Sequence, residues 1–460
     1  MAGNRRPWRT SQASVCAAVG VVAIVMSGCS GTSTNPNRSG AASGAARSFA
    51  VGILTENLVD QTRPTPANGS VPAHPGRTLE TTVLYPVAGT DRTALHRGAT
   101  ADRADGPYPL IAFAHGFGSS PDGYLAILQQ WASAGYVVAA PRFPLTNDHA
   151  PGGPDLSDFA NQPGDMGFVI DRLIAQTKVR GDPLQGAVDT RHIGAAGHSL
   201  GGVTVLGLVA NTCCRDGRID AAVVMSGDPI AFPTGRVDFG PAPPLLFVHG
   251  DADPTVPYVS SVNAYNAAHA PKGLLTVVHG DHGAPVNPQG PGFSSVVAAT
   301  TAFFAAYLKH DAGALDLLRR APVHGVTMLT LATTSGTVST LPVPTVPRGN
   351  RQATVTPSSG LTDGQTVSVA WQGLTPGQNV NVLECAKNPP TAAGDCDLQS
   401  GKLLQPDPTG AGSLSLVVHT GAIGSGGGIC DATHPGCVIA VNQGGSLDPA
   451  ATVVVTIAFS

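Results

Sequence analysis

The sequence predicts an α/β domain with a mostly parallel sheet flanked by helices, followed by a smaller all-β domain. Over residues 48–320, short apolar runs that are typical of buried strands lead into loops and helical segments. From residue 353 onward, short alternating strands follow one another between Gly, Pro and Asp turns, with no helical segment. Such close spacing of strands is typical of a β-sandwich. A length of 460 residues is enough for two or three domains.

The N-terminus has the features of an export signal over residues 1–28. A cluster of arginines precedes an apolar run at 15–26, which is too short to span a bilayer comfortably. The run ends in Met-Ser-Gly-Cys, which resembles a bacterial lipobox and implies a lipid on Cys29. Residues 29–47 are rich in Ser, Gly, Asn and Ala and predict a flexible tether. We expect an exported protein anchored to the outer face of the cytoplasmic membrane or in the cell envelope, with ordinary secretory cleavage as the alternative.

Composition limits the partners and cofactors. The formal net charge is −4 and no basic patch is present, so we expect no nucleic-acid partner. No group of His, Cys and carboxylate residues has the spacing of a metal site, so we expect no metal and no cofactor. Of the 8 cysteines, Cys16 is lost with the signal and Cys29 is taken by lipid, and the remaining even number predicts disulfides. The adjacent Cys213 and Cys214 either form a disulfide or remain buried thiols.

The most informative motif is Gly-His-Ser-Leu-Gly at residues 197–201. The apolar segment 192–196 predicts a short strand before it, and residues 202–209 predict a helix after it. A serine on such a tight strand-to-helix turn has a strained backbone and exposes its hydroxyl at the carboxyl edge of the sheet. Glycines leave the room that this turn requires. We therefore predict that Ser199 is a nucleophile.

A serine nucleophile needs a base and a carboxylate that orients the base. The apolar strand over residues 245–250 leads into an acidic loop, and active sites collect at such carboxyl ends of strands. We predict Asp253 as the carboxylate, with Asp251 and Asp228 as the alternatives. Asp165 is interpreted as a helix cap.

The base and the oxyanion hole complete the predicted site. A second apolar strand over residues 274–278 leads into a loop with two histidines. His282 is the predicted base and His279 the alternative, because His279 directly ends the strand. The two oxyanion donors are expected to be the backbone N–H of Leu200, which follows the nucleophile, and that of Phe117, in the loop after an early strand.

Residues 48–310 resemble an α/β-hydrolase of the dienelactone hydrolase, chlorophyllase and plasma-type platelet-activating-factor acetylhydrolase group, to which bacterial cutinases are related by fold. The matching stretches are 115–118, 135–141, 197–202 and 249–257. In these families the Gly-x-x-Asp-x-x-Val pattern carries the triad acid, which corresponds to Asp253, and the final histidine corresponds to His282. Dienelactone hydrolases use a cysteine nucleophile, so the serine at position 199 favours plain ester hydrolysis.

The C-terminal region resembles a different family. Residues 321–352 are rich in Thr, Pro, Ser, Val and Gly and predict a linker. Residues 353–460 resemble the neocarzinostatin family of enediyne-binding apoproteins through the segment Val-Thr-Pro-Ser-Ser-Gly-Leu at 355–361, the strand at 412–418 and two pairs of cysteines. This resemblance implies an immunoglobulin-like sandwich and a possible apolar ligand. The disulfides that it implies are Cys385–Cys396 and Cys430–Cys437.

These observations predict an exported serine hydrolase of carboxylic esters, which include lipid-like and polymeric esters. Phe117, Phe143 and Pro144 are candidates for lining an apolar acyl pocket. The β-sandwich is interpreted first as an accessory domain that stabilises, spaces or attaches the enzyme, because a fold by itself carries little functional information. The alternatives are a small-molecule-binding protein that acts through the sandwich, and an acyltransferase on the same triad.

Overall fold

The first domain is built on a ten-stranded sheet, seen here in a computed structural model. Its strands, in chain order, are β1 (Ala50–Asp60), β2 (Arg77–Val87), β3 (Leu95–Arg97), β4 (Tyr108–Ala114), β5 (Val137–Arg142), β6 (Val188–His198), β7 (Ile219–Met225), β8 (Leu245–Gly250), β9 (Lys272–Val277) and β10 (Thr327–Ala332). The strand order is β10-β9-β8-β7-β6-β4-β5-β2-β1-β3. The central strands from β5 to β9 pair in parallel, whereas β1, β2 and β10 form antiparallel pairs. The predicted α/β class with a mostly parallel sheet is confirmed.

The structure describes residues 48–460 apart from a few short gaps. The gaps are 90, 92, 231, 335–339, 343–349, 377–378, 391–394, 399, 405–408, 425–426 and 444–451. Residues 1–47 also lie outside the described residues, and with them the predicted signal, the tether and Cys29. In the part that is described, no helix has the length and apolar character that a membrane span requires.

Helices cover both faces of the sheet. They are α1 (Leu125–Ser133), α2 (Gln162–Gln176), α3 (Leu200–Ala210), α4 (Tyr258–Ala267), α5 (Phe293–Leu308) and α6 (Ala314–Arg320). Successive strand residues point to opposite faces, so Ile111 and Phe113 of β4 pack in one core with α1 and α5. Their neighbours Ala112 and Ala114 pack in a second core with α2, α3 and α4.

The second domain consists of small antiparallel sheets. Its strands are β11 (Gln352–Thr356), β12 (Gln365–Gln372), β13 (Val380–Cys385), β14 (Lys402–Leu404), β15 (Gly412–Val418), β16 (Gly421–Ile423), β17 (Gly428–Cys430), β18 (Val438–Gln443) and β19 (Thr452–Thr456). A three-stranded sheet, β11-β12-β15, and a four-stranded sheet, β14-β13-β18-β19, share one apolar core, as expected for a sandwich. The structure pairs Cys385 with Cys396 and Cys430 with Cys437, and it also joins the adjacent Cys213 and Cys214.

The segment predicted as a linker, 321–352, differs from that expectation at its start. Residues 327–332 form β10, the edge strand that pairs with β9. Farther along, Leu341 exchanges two backbone-to-amide hydrogen bonds with Asn266 of α4. Part of the segment therefore belongs to the first domain, and the described residues from 48 onward belong to one compact unit.

A buried ion pair ties α2 to the sheet. Arg77 of β2 is fully buried and donates to Asp158 at 2.6 Å and to Asp165 at 2.7 Å. Asp165 lies in the first turn of α2. Its carboxylate pairs with Arg77 and does not form the helix cap that the sequence suggested. Burial raises the pKa of Asp165, and the hydrogen bond and charge of Arg77 oppose that rise. Each charge depends on its partner, because an unpaired buried charge is costly.

We expect Asp165→Asn to lower the free energy of unfolding by about 3–5 kcal/mol, because it leaves part of the Arg77 charge uncompensated. The matched control is Asp316→Asn, which removes the exposed pair with Arg319 and is expected to cost less than about 1 kcal/mol. Urea unfolding of the three proteins measures both values. Equal effects of the two substitutions would contradict this account of the buried pair.

Candidate active site

Ser199 sits on a strained turn between β6 and α3. Its backbone has φ 56° and ψ −121°, an unusual conformation for a residue other than glycine. The turn is also crowded. A Cβ at position 201 would lie 2.0 Å from the carbonyl oxygen of Ala114, and one at position 197 would lie 2.2 Å from that of Gly201. Only glycine fits at these two positions, so the spacing of the motif follows from the packing of the turn.

The structure brings the three predicted triad residues together. His282 Nε2 lies 2.8 Å from Ser199 Oγ, and His282 Nδ1 lies 2.7 Å from Asp253 Oδ2. Asp253 follows β8 and His282 follows β9, so both come from loops at the same edge of the sheet as Ser199. The Asp253 side chain is fully buried, while the His282 side chain is 20% exposed. This arrangement can pass a proton from the hydroxyl to the imidazole and stabilise the resulting imidazolium.

The carboxylate of Asp253 is fully engaged in hydrogen bonds. Oδ1 accepts from the backbone N–H of Thr255 at 2.8 Å and of Val256 at 2.9 Å. Oδ2 accepts from His282 and also from His249 Nε2, which is 3.1 Å away. Burial alone raises the pKa of Asp253, but the hydrogen bonds and charges of the two histidines outweigh it and hold that pKa well below its usual range. The group is therefore an anion across the neutral pH range.

His249 is a residue to which the sequence analysis assigned no role. Its Nε2 lies 3.0 Å from the carbonyl oxygen of Val256 as well as near Asp253, so this nitrogen carries the proton. Its Nδ1 then accepts from Ser261 Oγ at 2.7 Å. The only signal in the sequence was its position at the end of β8, inside the stretch that resembles the hydrolase families.

The alternatives Asp251 and His279 lie in the same loops as Asp253 and His282, whereas Asp228 follows β7. Asp251 Oδ1 accepts a hydrogen bond from the backbone N–H of His279 at 2.6 Å, so the two alternatives bind each other. His279 has φ 55° and belongs to the turn after β9. The carboxylate that His282 Nδ1 contacts is that of Asp253, and neither Asp251 nor Asp228 shares this contact.

The loop after β4 lies against the nucleophile. A Cβ on Gly116 would be 3.2 Å from the Cβ of Ser199, so the backbone leading to Phe117 passes directly over the serine. Among the described residues, no acceptor pairs with the backbone N–H of Phe117 or of Leu200. These two N–H groups are the predicted oxyanion donors. The Phe117 side chain is 43% exposed, whereas Phe143, another candidate for the acyl pocket, packs in the core with its ring 4.9 Å from that of His115.

A line of hydrogen bonds connects the loop after β4, the end of β6 and the loop after β9. Gly116 N–H donates to Tyr124 Oη at 3.0 Å, Tyr124 Oη lies 3.1 Å from His198 Nδ1, and His198 Nε2 lies 2.8 Å from the carbonyl oxygen of His282. A carbonyl only accepts, so His198 Nε2 donates and its Nδ1 accepts from the tyrosine. Burial lowers the pKa of His198 to about 4, so the ring is neutral.

His115 supports the same loop. Its Nε2 accepts from the backbone N–H of Phe143 at 3.0 Å, and its Nδ1 donates to the carbonyl of Gly116 at 2.8 Å. Burial lowers the pKa of His115 to about 4 as well. Both bonds therefore go to backbone groups, and the neutral ring fixes the loop that precedes Phe117.

Two parts of the chain match known families. Residues 99–245 match the Chlorophyllase family and residues 353–457 match the Neocarzinostatin family. The chain joins a chlorophyllase-like region to a neocarzinostatin-family domain. The first match includes Phe117, Ser199 and Leu200, whereas Asp253 and His282 lie beyond its end. It supports an α/β hydrolase of ester type.

Curated relatives match the neocarzinostatin-family domain. Macromomycin from Streptomyces macromomyceticus is 42% identical over 67 residues, which are 15% of this chain and 46% of that protein. Actinoxanthin and the antitumor antibiotic C-1027 apoprotein, both from Streptomyces globisporus, are 38% identical over 72 residues, which are 15% of this chain and 48% of each relative. The chain thus spans about half the length of the curated relatives it matches.

The chlorophyllase-like region and the residues after it bring together side chains that can carry out nucleophilic catalysis. In the described residues, no cluster of three or more His, Cys, Asp or Glu has an arrangement that could hold a metal ion. What the geometry offers is a hydroxyl, an imidazole and a carboxylate in line, with the loop that follows β4 packed against Ser199.

The neutral histidines make stability depend on pH. Burial lowers the pKa of His198 to about 4, while a histidine in the unfolded chain titrates near 6.5. The unfolded state binds more protons in this interval, so the free energy of unfolding falls as the pH falls from about 6.5 to about 4. His198→Gln keeps a donor and an acceptor but does not titrate. We expect His198→Gln to reduce the acid-induced fall in the free energy of unfolding by up to about 3 kcal/mol.

Urea unfolding at about pH 7 and about pH 4.5 measures the difference. His269→Gln, at an exposed position, is the matched control and should leave the pH dependence of the wild type unchanged. If His198→Gln behaves like this control, the buried neutral state of His198 does not contribute.

Proposed function

We propose that this chain is an exported serine esterase with Ser199, His282 and Asp253 as its catalytic triad. The observation that carries the proposal is the unbroken line from Ser199 Oγ through both nitrogens of His282 to Asp253 Oδ2, with distances of 2.8 and 2.7 Å. The match of residues 99–245 to the Chlorophyllase family supports the same chemistry. Disulfides in the second domain fit an exported protein, and a lipid on Cys29 would hold it at a membrane surface.

The reaction follows from the positions of these groups. Ser199 Oγ attacks the acyl carbon of the ester while His282 Nε2 takes the hydroxyl proton, and the anionic Asp253 stabilises the imidazolium. The backbone N–H groups of Phe117 and Leu200 bind the oxyanion, and each such donor contributes about 3 kcal/mol of transition-state stabilisation. The departing alkoxide takes the proton from His282 and leaves as the alcohol. Water then repeats the sequence on the acyl-enzyme, which releases the carboxylic acid and restores the serine.

The substrate class is a carboxylic ester with an apolar acyl group. An enzyme outside the cell meets lipid-like and polymeric esters, and the groups around Ser199 include several apolar side chains, such as Leu200 and the half-exposed Phe117. A second candidate function is capture of an apolar small molecule by the neocarzinostatin-family domain, which the match of residues 353–457 favours.

We expect a fluorophosphonate probe to label Ser199 of the full chain, because the hydroxyl is activated by His282. Ser199→Ala should abolish labelling and lower kcat for p-nitrophenyl butanoate by about 10⁶-fold. The control is Ser294→Ala, at an exposed position on α5, which should leave both unchanged. Retention of an apolar ligand by the wild type without labelling or ester turnover would favour the second candidate function instead.

The role of Asp253 predicts a separate result. Asp253→Asn keeps the shape of the side chain but cannot hold His282 in the productive tautomer, so kcat should fall by about 10⁴-fold. The matched control is Asp251→Asn two residues away, which should retain ester turnover within about tenfold, since Asp251 bonds to a backbone N–H. Steady-state kinetics on p-nitrophenyl butanoate compare the two variants. A larger loss in Asp251→Asn would reassign the triad acid.

A further inference from the structure

The second domain contacts the loop that carries the proposed triad acid. The backbone N–H of Asn379, just before β13, donates to the carbonyl of Pro254 at 2.8 Å, and its Nδ2 donates to Thr255 Oγ1 at 3.3 Å. Asn379 is only 5% exposed, so this contact is shielded from solvent. Thr255 in turn donates its backbone N–H to Asp253 Oδ1. The sandwich is therefore one hydrogen bond away from the carboxylate that orients His282.

A second contact involves the residue that follows the nucleophile. Four buried apolar side chains, here called the apolar cluster, pack together next to Ser199; they are Phe159, Leu200, Val203 and Phe232. Leu200 directly follows Ser199, and the rings of Phe159 and Phe232 are 5.0 Å apart. Among the described residues of the sandwich, Leu398 is the side chain that packs against this cluster. It is partly buried there.

Leu398 is held in place by its own domain. It lies two residues after Cys396, which is bonded to Cys385 at the end of β13. Asp397, between them, donates its backbone N–H to the carbonyl of Glu384 at 2.8 Å. The loop that presents Leu398 is thus fixed to β13 by a disulfide and a backbone hydrogen bond, and β13 begins next to Asn379. The two contacts therefore come from the two ends of β13, Asn379 before its first residue and the Leu398 loop at its last.

We propose that the second domain completes the acyl-binding side of the active site, with Leu398 as a residue that determines acyl-chain specificity. The proposal rests on the esterase function proposed above. An acyl group bound to Ser199 lies within reach of the apolar cluster, because Leu200 is both the next residue and a member of that cluster. The branched side chain of Leu398 closes the cluster from the sandwich side and so limits the length of acyl chain that fits. Specificity for ester substrates is then shared between two domains.

The test compares acyl-chain profiles of full-length variants with p-nitrophenyl butanoate, octanoate and dodecanoate. Leu398→Ala opens the cluster, so kcat/KM for dodecanoate relative to butanoate should rise by about tenfold, the scale at which methylene-sized changes in apolar pockets act. Leu398→Trp should lower the same ratio. Ile429→Ala, at an exposed position on β17 of the same domain, is the control and should keep the wild-type ratio.

Each outcome decides one question. Fluorophosphonate labelling and butanoate turnover in the wild type establish the esterase. If the chain-length ratio then stays at the wild-type value in both Leu398→Ala and Leu398→Trp, this proposal alone is overturned. Absence of labelling and turnover in the wild type overturns the esterase and this proposal together. Leu398→Met, which conserves the side-chain volume, should retain the wild-type ratio and fold normally. If the Ala variant does not fold, a lowered ratio in Leu398→Trp beside an unchanged ratio in Leu398→Met supports the proposal, and an unchanged ratio in Leu398→Trp overturns it.

Discussion

The buried charge of Asp253 is the constraint on which the site depends. Removing a carboxylate from water costs several kcal/mol unless its lone pairs are satisfied. Here the donors come from His249 at the end of β8, from the backbone of residues 255 and 256, and from His282 after β9. Satisfying this one anion therefore determines the path of the acid loop, the orientation of His282 and the direction in which Pro254 and Thr255 face the second domain.

Two buried histidines support the site by staying neutral, whereas Asp253 supports it by its charge. The rings of His198 and His282 have centroids 5.0 Å apart, so a charge on His198 would oppose the imidazolium that forms on His282 during the proposed reaction. Burial keeps His198 neutral, and this allows it to join the loops of Gly116 and His282 through Tyr124. His115 is neutral as well, and it connects the backbone of Gly116 to that of Phe143. The two neutral rings of His115 and His198 thus hold the loops around the reacting groups by hydrogen bonds.

The sequence predicted the parts of this site that have a local signature. The turn at Ser199 is visible because only glycine fits beside it, and Asp253 and His282 are visible because each follows an apolar strand. His249 and His198 gave no such signal, since their roles consist of contacts between residues far apart in the chain. The predicted linker 321–352 included the edge strand β10, because its pairing with β9 is decided by the sheet and leaves no local signature.

The contact between the two domains could not be predicted from the sequence either, because it also joins residues that are far apart in the chain. Packing of Leu398 against the apolar cluster needs only one partly exposed leucine in a turn, and such a residue is unremarkable in the sequence of a sandwich. The disulfide Cys385–Cys396 gives this residue its significance, because it fixes the turn to β13. The position of Leu398 is set by the folding of the second domain, and the position of the apolar cluster by that of the first. In the proposed enzyme the sandwich therefore sets the acyl preference through Leu398, while the side chains of Ser199, His282 and Asp253 all come from the first domain.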